Sequence, residues 1–123
     1  MKNQSSPSLG IFTTDRHLQV RTWDDWLAAV TGLSAAEVYG KPLTEIIPDL
    51  EKRGLLNKFN HCLEEWAVEV LAPLFHRYLL PCPPLLPSKT FSHMRQRVTI
   101  IPLRDEDVIS GVMVSVLDVT DRL

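Results

Sequence analysis

The sequence of 123 residues has few of the features that mark membrane, secreted or nucleic-acid-binding proteins. No apolar run approaches the roughly 20 residues that a membrane-spanning helix needs. Residues 1–8 are polar and contain no apolar stretch of a signal peptide, so we expect a cytoplasmic protein with no membrane contact through this segment. The formal net charge is −2, and the even balance of charge predicts no basic surface for nucleic acid.

Cysteine is also scarce, since only Cys62 and Cys82 are present. Without a secretory signal we expect a reducing compartment, where two buried free thiols are favoured over a disulfide.

Motifs of the common enzyme classes are missing too. The sequence has no G-x-S-x-G, no Walker loop, no H-E-x-x-H and no C-x-x-C, which argues against the chemistry that each motif supports. We therefore expect no enzymatic activity in this chain. Because folding assembles a Ser–His–Asp triad from distant positions, a small α+β enzyme stays open as the weakest alternative.

The composition is that of a globular domain, with 45% hydrophobic and 23% charged residues. The length suits one domain. We predict a flexible lead-in over 1–8 and a single domain over 9–123. Four of the nine prolines lie between 81 and 87, and they predict an extended, Pro-rich loop over 81–90, because each proline removes a strand hydrogen-bond donor.

The first third of the sequence predicts a hairpin followed by short helices. Residues 9–14 and 18–23 alternate as strands and are separated by a polar turn. Asp24 is then an N-cap signal, and Gly32 suits the left-handed position that ends a helix.

Two further helices are predicted. Ser34 and Glu37 form a capping box for a second short helix, which stops at Gly40. The longest helix is predicted over 50–66, because an apolar face recurs at helical spacing. That face contains Leu55, Phe59, Cys62 and Trp66.

Strand patterns return in the last half of the chain. The first of these strands begins at 68 and is predicted to run as far as 80. The next covers 95–103, and the last covers 109–119 with Val112, Val114 and Val116 on one side. The fold class predicted is α+β, a five-stranded antiparallel sheet with short helices and one longer helix on one face.

Three stretches of this order resemble the PAS family. Residues 23–32 match a family stretch in which Asp24 stands where Asn is frequent and Gly32 follows eight positions later. Residues 33–42 match the next stretch, and 118–122, Asp-Val-Thr-Asp-Arg, match the family's closing strand. The resemblance covers roughly 9–123, and it is weakest between 72 and 92.

The resemblance implies a sensory module that passes a signal to a partner domain. It implies the regulatory part of a sensor histidine kinase, a cyclic-dinucleotide enzyme or a transcriptional regulator, with a C-terminal output domain in a longer chain. It also implies a homodimer, formed through an open sheet face or the terminal segments, and a small-molecule ligand. Asp118 and Thr120 lie where such a domain hands its signal to a following helix.

The ligand of such a module would lie between the sheet and the helices. The residues expected to line that cavity, or to pack as a plain core, are Phe12, Trp26, Val30, Phe59, Cys62, Val70, Leu74, His76, Ile100, Val112 and Val114.

No cofactor is the first expectation for this cavity. Residues 46–50 lack the cysteine that flavin photosensors of the family use, so a covalent flavin adduct is not expected, while non-covalent flavin stays open. His76 is the candidate haem ligand, because in strand phase it shares an apolar side with Val68, Val70 and Leu74. A hydrogen-bonded core histidine is the alternative for the same residue. No other metal site is predicted.

Overall fold

The computed structural model describes residues 8–85 and 93–120, apart from the side chains of Leu74 and Phe75. In chain order the elements are β1 (Leu9–Asp15), β2 (Val20–Trp23), α1 (Asp25–Thr31), α2 (Ala35–Val38), α3 (Leu43–Ile46), α4 (Leu56–Glu65), β3 (Glu69–Leu71), α5 (Pro73–His76), β4 (Gln96–Asp105) and β5 (Val108–Asp118). In the described part of the chain, no helix is long and apolar enough to cross a membrane.

The five strands form one antiparallel sheet in the order β2-β1-β5-β4-β3. The first and last strands along the chain are therefore neighbours at its centre. Phe12 on β1 and Ile100 on β4 both pair with Val114 on β5, so their side chains form one row on one face. The predicted α+β class and antiparallel sheet are confirmed.

The inner face of the sheet carries the core. The alternation predicted for the last strand is present, because Val112, Val114 and Val116 are fully buried while the residues between them are half-buried.

Phe59 and Cys62 of α4 are also fully buried in this core. Three of the four residues predicted for the apolar face of the longest helix, Leu55, Phe59 and Cys62, therefore pack as expected. The prediction is wrong for Trp66, which follows α4 in a left-handed conformation (φ 54°) and is 43% exposed.

The outer face of the sheet carries apolar side chains beside polar ones such as Arg97, Thr99 and Ser115, and it is partly open. Ile11 is 38% exposed and Val70 is 48% exposed. The half-buried apolar residues in the same outward phase are Leu9, Ile101, Met113 and Leu117.

The region from β1 to the start of α3, which we call the corner (residues 10–43), follows the predicted local signals. Asp24 caps α1 by accepting a hydrogen bond from Leu27 N (2.9 Å), and Gly32 is left-handed with φ 76°. Ser34 and Glu37 form the predicted capping box, in which Glu37 also accepts from the Ser34 backbone and its pKa is lowered by that bond.

The helix α1 lies very close to β1. An added Cβ at Gly10 would lie 2.6 Å from both Leu27 Cγ and Trp26 Cε3. The absence of a side chain at Gly10 is therefore what allows the helix to approach the strand.

The free side of β2 is covered by the segment between α2 and α3. Lys41 O accepts from Val20 N at 3.0 Å, and Gly40 N donates to Val20 O at 2.8 Å. Leu43 N donates to Leu18 O at 2.9 Å. At the other end of the sheet, β3 has only three residues.

Two predicted elements are wrong in extent. The helix predicted over 50–66 begins only at Leu56, because the chain turns at Gly54, which has φ 76°. The strand predicted from 68 towards 80 ends at Leu71, because Pro73 at the first turn of α5 starts a helix, a position that proline favours.

The predictions for the lead-in and the Pro-rich loop fall largely outside the described residues. Residues 1–7, 86–92 and 121–123 belong to the undescribed part. Residues 81–85 contain no helix or strand, and Cys82 among them is buried.

Candidate functional site

The residues predicted to line a cavity are mostly brought together on the inner face. Six of them are fully buried in one cluster: Phe12, Phe59, Cys62, Ile100, Val112 and Val114. Trp26 and Val30 are half-buried. Val70 pairs with Thr99 and lies on the outer face, so it is separated from the rest, and the side chain of Leu74 lies outside the described part.

Three surface depressions bounded by described residues lie away from this buried cluster. One of about 480 Å³ lies between the end of α4 and the β4–β5 turn, and includes Trp66 and Val108. Arg104 stacks on the Trp66 ring, with its guanidinium carbon 4.6 Å from the ring centre. The other two, of about 620 and 220 Å³, lie at the β1–β2 turn and between α2 and α3. Their linings contain none of the residues predicted for the cavity.

Residues 77–82, which follow α5, have no regular structure, and three of them, Leu79, Leu80 and Cys82, are buried. Leu79 and Leu80 are 0% and 2% exposed. Buried backbone groups need hydrogen-bond partners. On one side Arg53 supplies these partners, because its guanidinium donates to Tyr78 O and Leu79 O. The guanidinium also stacks on the Tyr78 ring, with its carbon 4.5 Å from the ring centre. We call residues 77–82 the clamped segment.

From the other side the clamped segment is held by Gln96, which is 1% exposed. Its side-chain oxygen accepts from Leu79 N (3.0 Å) and Leu80 N (3.1 Å), and its side-chain nitrogen donates to Leu80 O (2.8 Å). The same nitrogen lies 3.4 Å from Cys82 Sγ and 3.5 Å from Met94 Sδ. The Gln96 carboxamide is thus saturated with partners in the interior.

Asp118 and Thr120, predicted as relay residues, meet at the end of β5. Asp118 Oδ1 accepts from Thr120 N (3.0 Å) and from the Thr120 hydroxyl (2.7 Å). The Thr120 hydroxyl oxygen accepts in turn from Arg95 N at 2.9 Å. We call Asp118, Thr120 and Arg95 the exit clasp.

His76 occupies a different place from the one that strand phase predicts. It ends helix α5, is half-buried, and its Nδ1 accepts from Ala72 N at 3.1 Å. This bond matches the alternative of a hydrogen-bonded histidine. Haem ligation by His76 stays a prediction, which an absorption spectrum with added haem would test through its Soret band.

The other histidines lie at the surface. His17 and His93 are exposed, and His93 stacks on Tyr78 with ring centres 5.0 Å apart. His61 is exposed on α4, and its Nδ1 lies 2.7 Å from Glu69 Oε2 on β3. This hydrogen bond lowers the pKa of Glu69, with a smaller contribution from Lys58. Among described residues, no three His, Cys, Asp or Glu side chains cluster in a way that would hold a metal ion.

Both cysteines are buried free thiols, as predicted. Burial raises the pKa of Cys62 to about 11, with a further contribution from Glu69. Burial raises the pKa of Cys82 to about 11 as well, with a contribution from Asp118, while the hydrogen bond from Gln96 acts in the opposite direction. Thiols with such values are inert as nucleophiles near neutral pH.

Sequence reasoning missed Arg53 and Gln96. A signal for Gln96 was present, since it stands in phase with Val98 and Ile100 on the buried side of β4, where a polar residue needs a partner. No comparable signal marks Arg53, whose partners lie 25 and 26 residues further along the chain.

With this geometry in place, comparisons with known proteins can be added. The family described as PAS fold matches residues 4–123. A sensory box sensor histidine kinase from Vibrio cholerae superposes with a TM-score of 0.67 at 21% identity, covering 91% of this chain and 82% of that one. A PAS domain from Colwellia psychrerythraea gives 0.67 at 14% identity, covering 94% and 89%.

A third structure, the VqmA dimer of Vibrio cholerae, gives a TM-score of 0.66 at 16% identity, covering 92% of this chain and 47% of that one. No match was found among curated protein sequences. At these identities the structural likeness shows the fold, and the family match carries the assignment.

Proposed function

The chain belongs to the PAS-fold family, and on that premise we propose that it is the regulatory part of a sensor histidine kinase or another multidomain signalling protein. It senses a small ligand or mediates dimerisation, and passes the signal through the end of β5 to an output domain. The observation that carries this proposal is the exit clasp.

The exit clasp supports a relay because it joins the end of β5 to the residue that precedes β4, at the point where the chain leaves the sheet. Asp118 is the last residue of β5, and Arg95 directly precedes β4. Val119 N also donates to Arg95 O at 2.9 Å. A small shift between β4 and β5 must therefore either stretch these bonds or move the residues that follow. Such small shifts are the usual means by which packed elements pass on a change.

The test is Asp118→Ala in the full-length protein that contains this chain. We expect the basal output, measured as autophosphorylation where the output domain is a kinase, to change several-fold. The folded domain should persist in circular dichroism, because Asp118 is half-buried and its partners can turn to water. Asp107→Ala is the matched control, since the Asp107 side chain is fully exposed in the β4–β5 turn. An unchanged output in Asp118→Ala would contradict the relay.

Self-association through the outer face is the second part of the proposal. The face combines Ile11 and Val70, both well exposed, with half-buried apolar neighbours such as Met113. Exposed apolar side chains on a sheet face are typical of interaction sites, and on this face they lie on either side of Ser115 and Thr99. The structural relative VqmA is described as a dimer.

Sedimentation of the purified protein checks this. We expect a dimer that Met113→Glu converts to a monomer. Val108→Glu, at a 55% exposed apolar residue in the β4–β5 hairpin, should leave the dimer intact. A monomer in the unmodified protein at high concentration, or a dimer that survives Met113→Glu, would contradict the predicted interface.

A further inference from the structure

The start of β4 is hydrogen-bonded to the clamped segment on one side. Met94 N donates to Cys82 O and Gln96 N donates to Arg77 O, both at 2.8 Å. The Gln96 carboxamide adds its three bonds to Leu79 and Leu80.

The residue between those two donors turns to the opposite neighbour. Arg95 N donates to the Thr120 hydroxyl at 2.9 Å, and Arg95 O accepts from Val119 N at 2.9 Å. Residues 94–96 therefore lie between the clamped segment and the exit of β5, and bind each of them through alternate residues.

The clamped segment also begins with an unfavourable backbone conformation. Arg77 has φ 69° and ψ −68°, and Tyr78 N donates to His76 O at 2.8 Å across it. This is the γ-turn of positive φ, which is rare and strained. Strain of this kind persists only where the surrounding contacts enforce it. Here those contacts come from Arg53 and Gln96.

We propose that residues 94–96 couple the clamped segment to the exit clasp, with the Gln96 carboxamide as the positioning group that makes the two move together. The inference rests on the proposed function, which it deepens by naming where the change that reaches the clasp arises. Release of the strained turn at Arg77 is the structural change that the coupling transmits to the exit clasp.

The physical reason is the burial of Gln96. If the clamped segment moves alone, the carboxamide loses three hydrogen bonds in a place that water does not reach, and unsatisfied buried polar groups are costly. The lower-cost path is for Gln96 to follow the segment. Arg95 then moves with it, because the two residues share a peptide bond, and the bond from Arg95 N to Thr120 is stretched.

Amide hydrogen exchange of the purified protein, read by NMR, tests the coupling. The substitution is Gln96→Leu, which keeps the side-chain size and removes the carboxamide. The reporters of the clamped segment are the Leu79 and Leu80 amides, and those of the exit are the Val119 and Thr120 amides. Because the carboxamide is the link, its loss should release the clamped segment alone. We expect exchange at Leu79 and Leu80 to accelerate by about tenfold or more, while exchange at Val119 and Thr120 stays unchanged.

The matched control is Trp23→Phe. It removes another largely buried side-chain bond, from Trp23 Nε1 to Leu33 O at 2.9 Å, in the corner. It should leave the four reporters unchanged. Faster exchange at all four reporters in Gln96→Leu would overturn the role of the carboxamide as the link, because the exit would then respond without it. No change at any of the four would overturn it as well.

A second variant perturbs the pair from the other end and covers the case in which Gln96→Leu does not fold. Coupling between two sites is reciprocal. Thr120→Val removes the acceptor for Arg95 N, so exchange at Leu79 and Leu80 should also accelerate, and unchanged rates there would overturn the proposal.

These measurements need no output domain. The Asp118→Ala output assay and the exchange experiment can therefore fail independently, which separates an error in the coupling from an error in the proposed function.

Discussion

The two short helices of the corner and the clamped segment satisfy their backbone polar groups in different ways. In the corner, Asp24 caps Leu27 three residues away and Ser34 pairs with Glu37 at the same spacing. In the clamped segment, the partners are Arg53 and Gln96, which lie 16 to 26 residues away in sequence. Short-range hydrogen bonds make the structure of a region predictable from its own sequence and stable locally, whereas long-range hydrogen bonds make a region depend on the rest of the fold.

The largest effect that should sharpen this comparison is expected at Gly10. Gly10→Ala places a Cβ within contact distance of Leu27 and Trp26, so α1 must move away from β1. We expect the free energy of unfolding to fall by about 1–3 kcal/mol, as for other overpacked sites. Urea denaturation followed by circular dichroism measures it.

The control for Gly10→Ala is Thr13→Ala on the same strand. Thr13 lies on the outer face, and its hydroxyl pairs with that of Thr22 at an exposed position. Its loss should cost clearly less. Equal costs at the two positions would show that the close approach of α1 is not what stabilises the corner.

The next largest effect is expected at Asp24, which holds two backbone donors. One carboxylate oxygen accepts from Leu27 N, and the other accepts from Ile11 N at 2.7 Å. Asp24→Ala should cost about 1–2 kcal/mol in unfolding free energy, the range for a lost N-cap. Asp24→Asn should lie between Ala and the original residue, because one acceptor oxygen remains.

Asp25→Ala is the control for the Asp24 variants, since Asp25 has the same charge one residue later and is exposed. A cost at Asp25 that matches the cost at Asp24 would assign the effect to charge near the helix start rather than to the two hydrogen bonds.

The smallest effect compares two regions of one molecule through their thiols, namely the clamped segment, which contains Cys82, and helix α4 of the core, which contains Cys62. The pKa values of Cys62 and Cys82 are both raised to about 11, so at pH 8 only about one thiol in a thousand is ionised in either place. Any difference in alkylation rate then reports opening of the structure. We expect Cys82 to react about tenfold faster or more, because local opening costs less than global unfolding.

Iodoacetamide labelling followed by peptide mass spectrometry gives both rates from one sample. Labelling should become equal and fast in denaturant, which serves as the internal control. Equal rates without denaturant would mean that the clamped segment opens only when the whole domain unfolds, and the contrast between the two regions would be lost.

The same contrast explains how much of the fold could be predicted. The hairpin, the capping box at Ser34 and the left-handed Gly32 depend on residues close in sequence, and the structure confirms them. The alternation of β5 was equally legible, because one face of the strand is buried. Gly54 and Pro73 are local signals as well. The longer apolar patterns around them predict a longer helix and a longer strand, and both errors of extent lie at these two residues.

The candidate site was less predictable. Asp118 and Thr120 could be placed because residues 118–122 resemble the closing stretch of the PAS family, and they do meet in the structure. The burial of Leu79 and Leu80 depends on a guanidinium from before α4 and a carboxamide from β4, and only the assembled sheet brings these together. Val70 was assigned to the inner face because the strand was predicted too long and its phase could not be fixed against β4.

The cover that residues 40–43 place over β2 has a consequence for how copies of this protein can meet. An uncovered strand edge invites further strands to add, and proteins block such edges to avoid aggregation. Here one end of the sheet is closed by the bonds to Lys41 and Gly40, and the strand at the other end is only three residues long. Open-ended growth of the sheet from copy to copy is thereby discouraged, which leaves the broad face as the surface for the proposed dimer, an association that can stop at two.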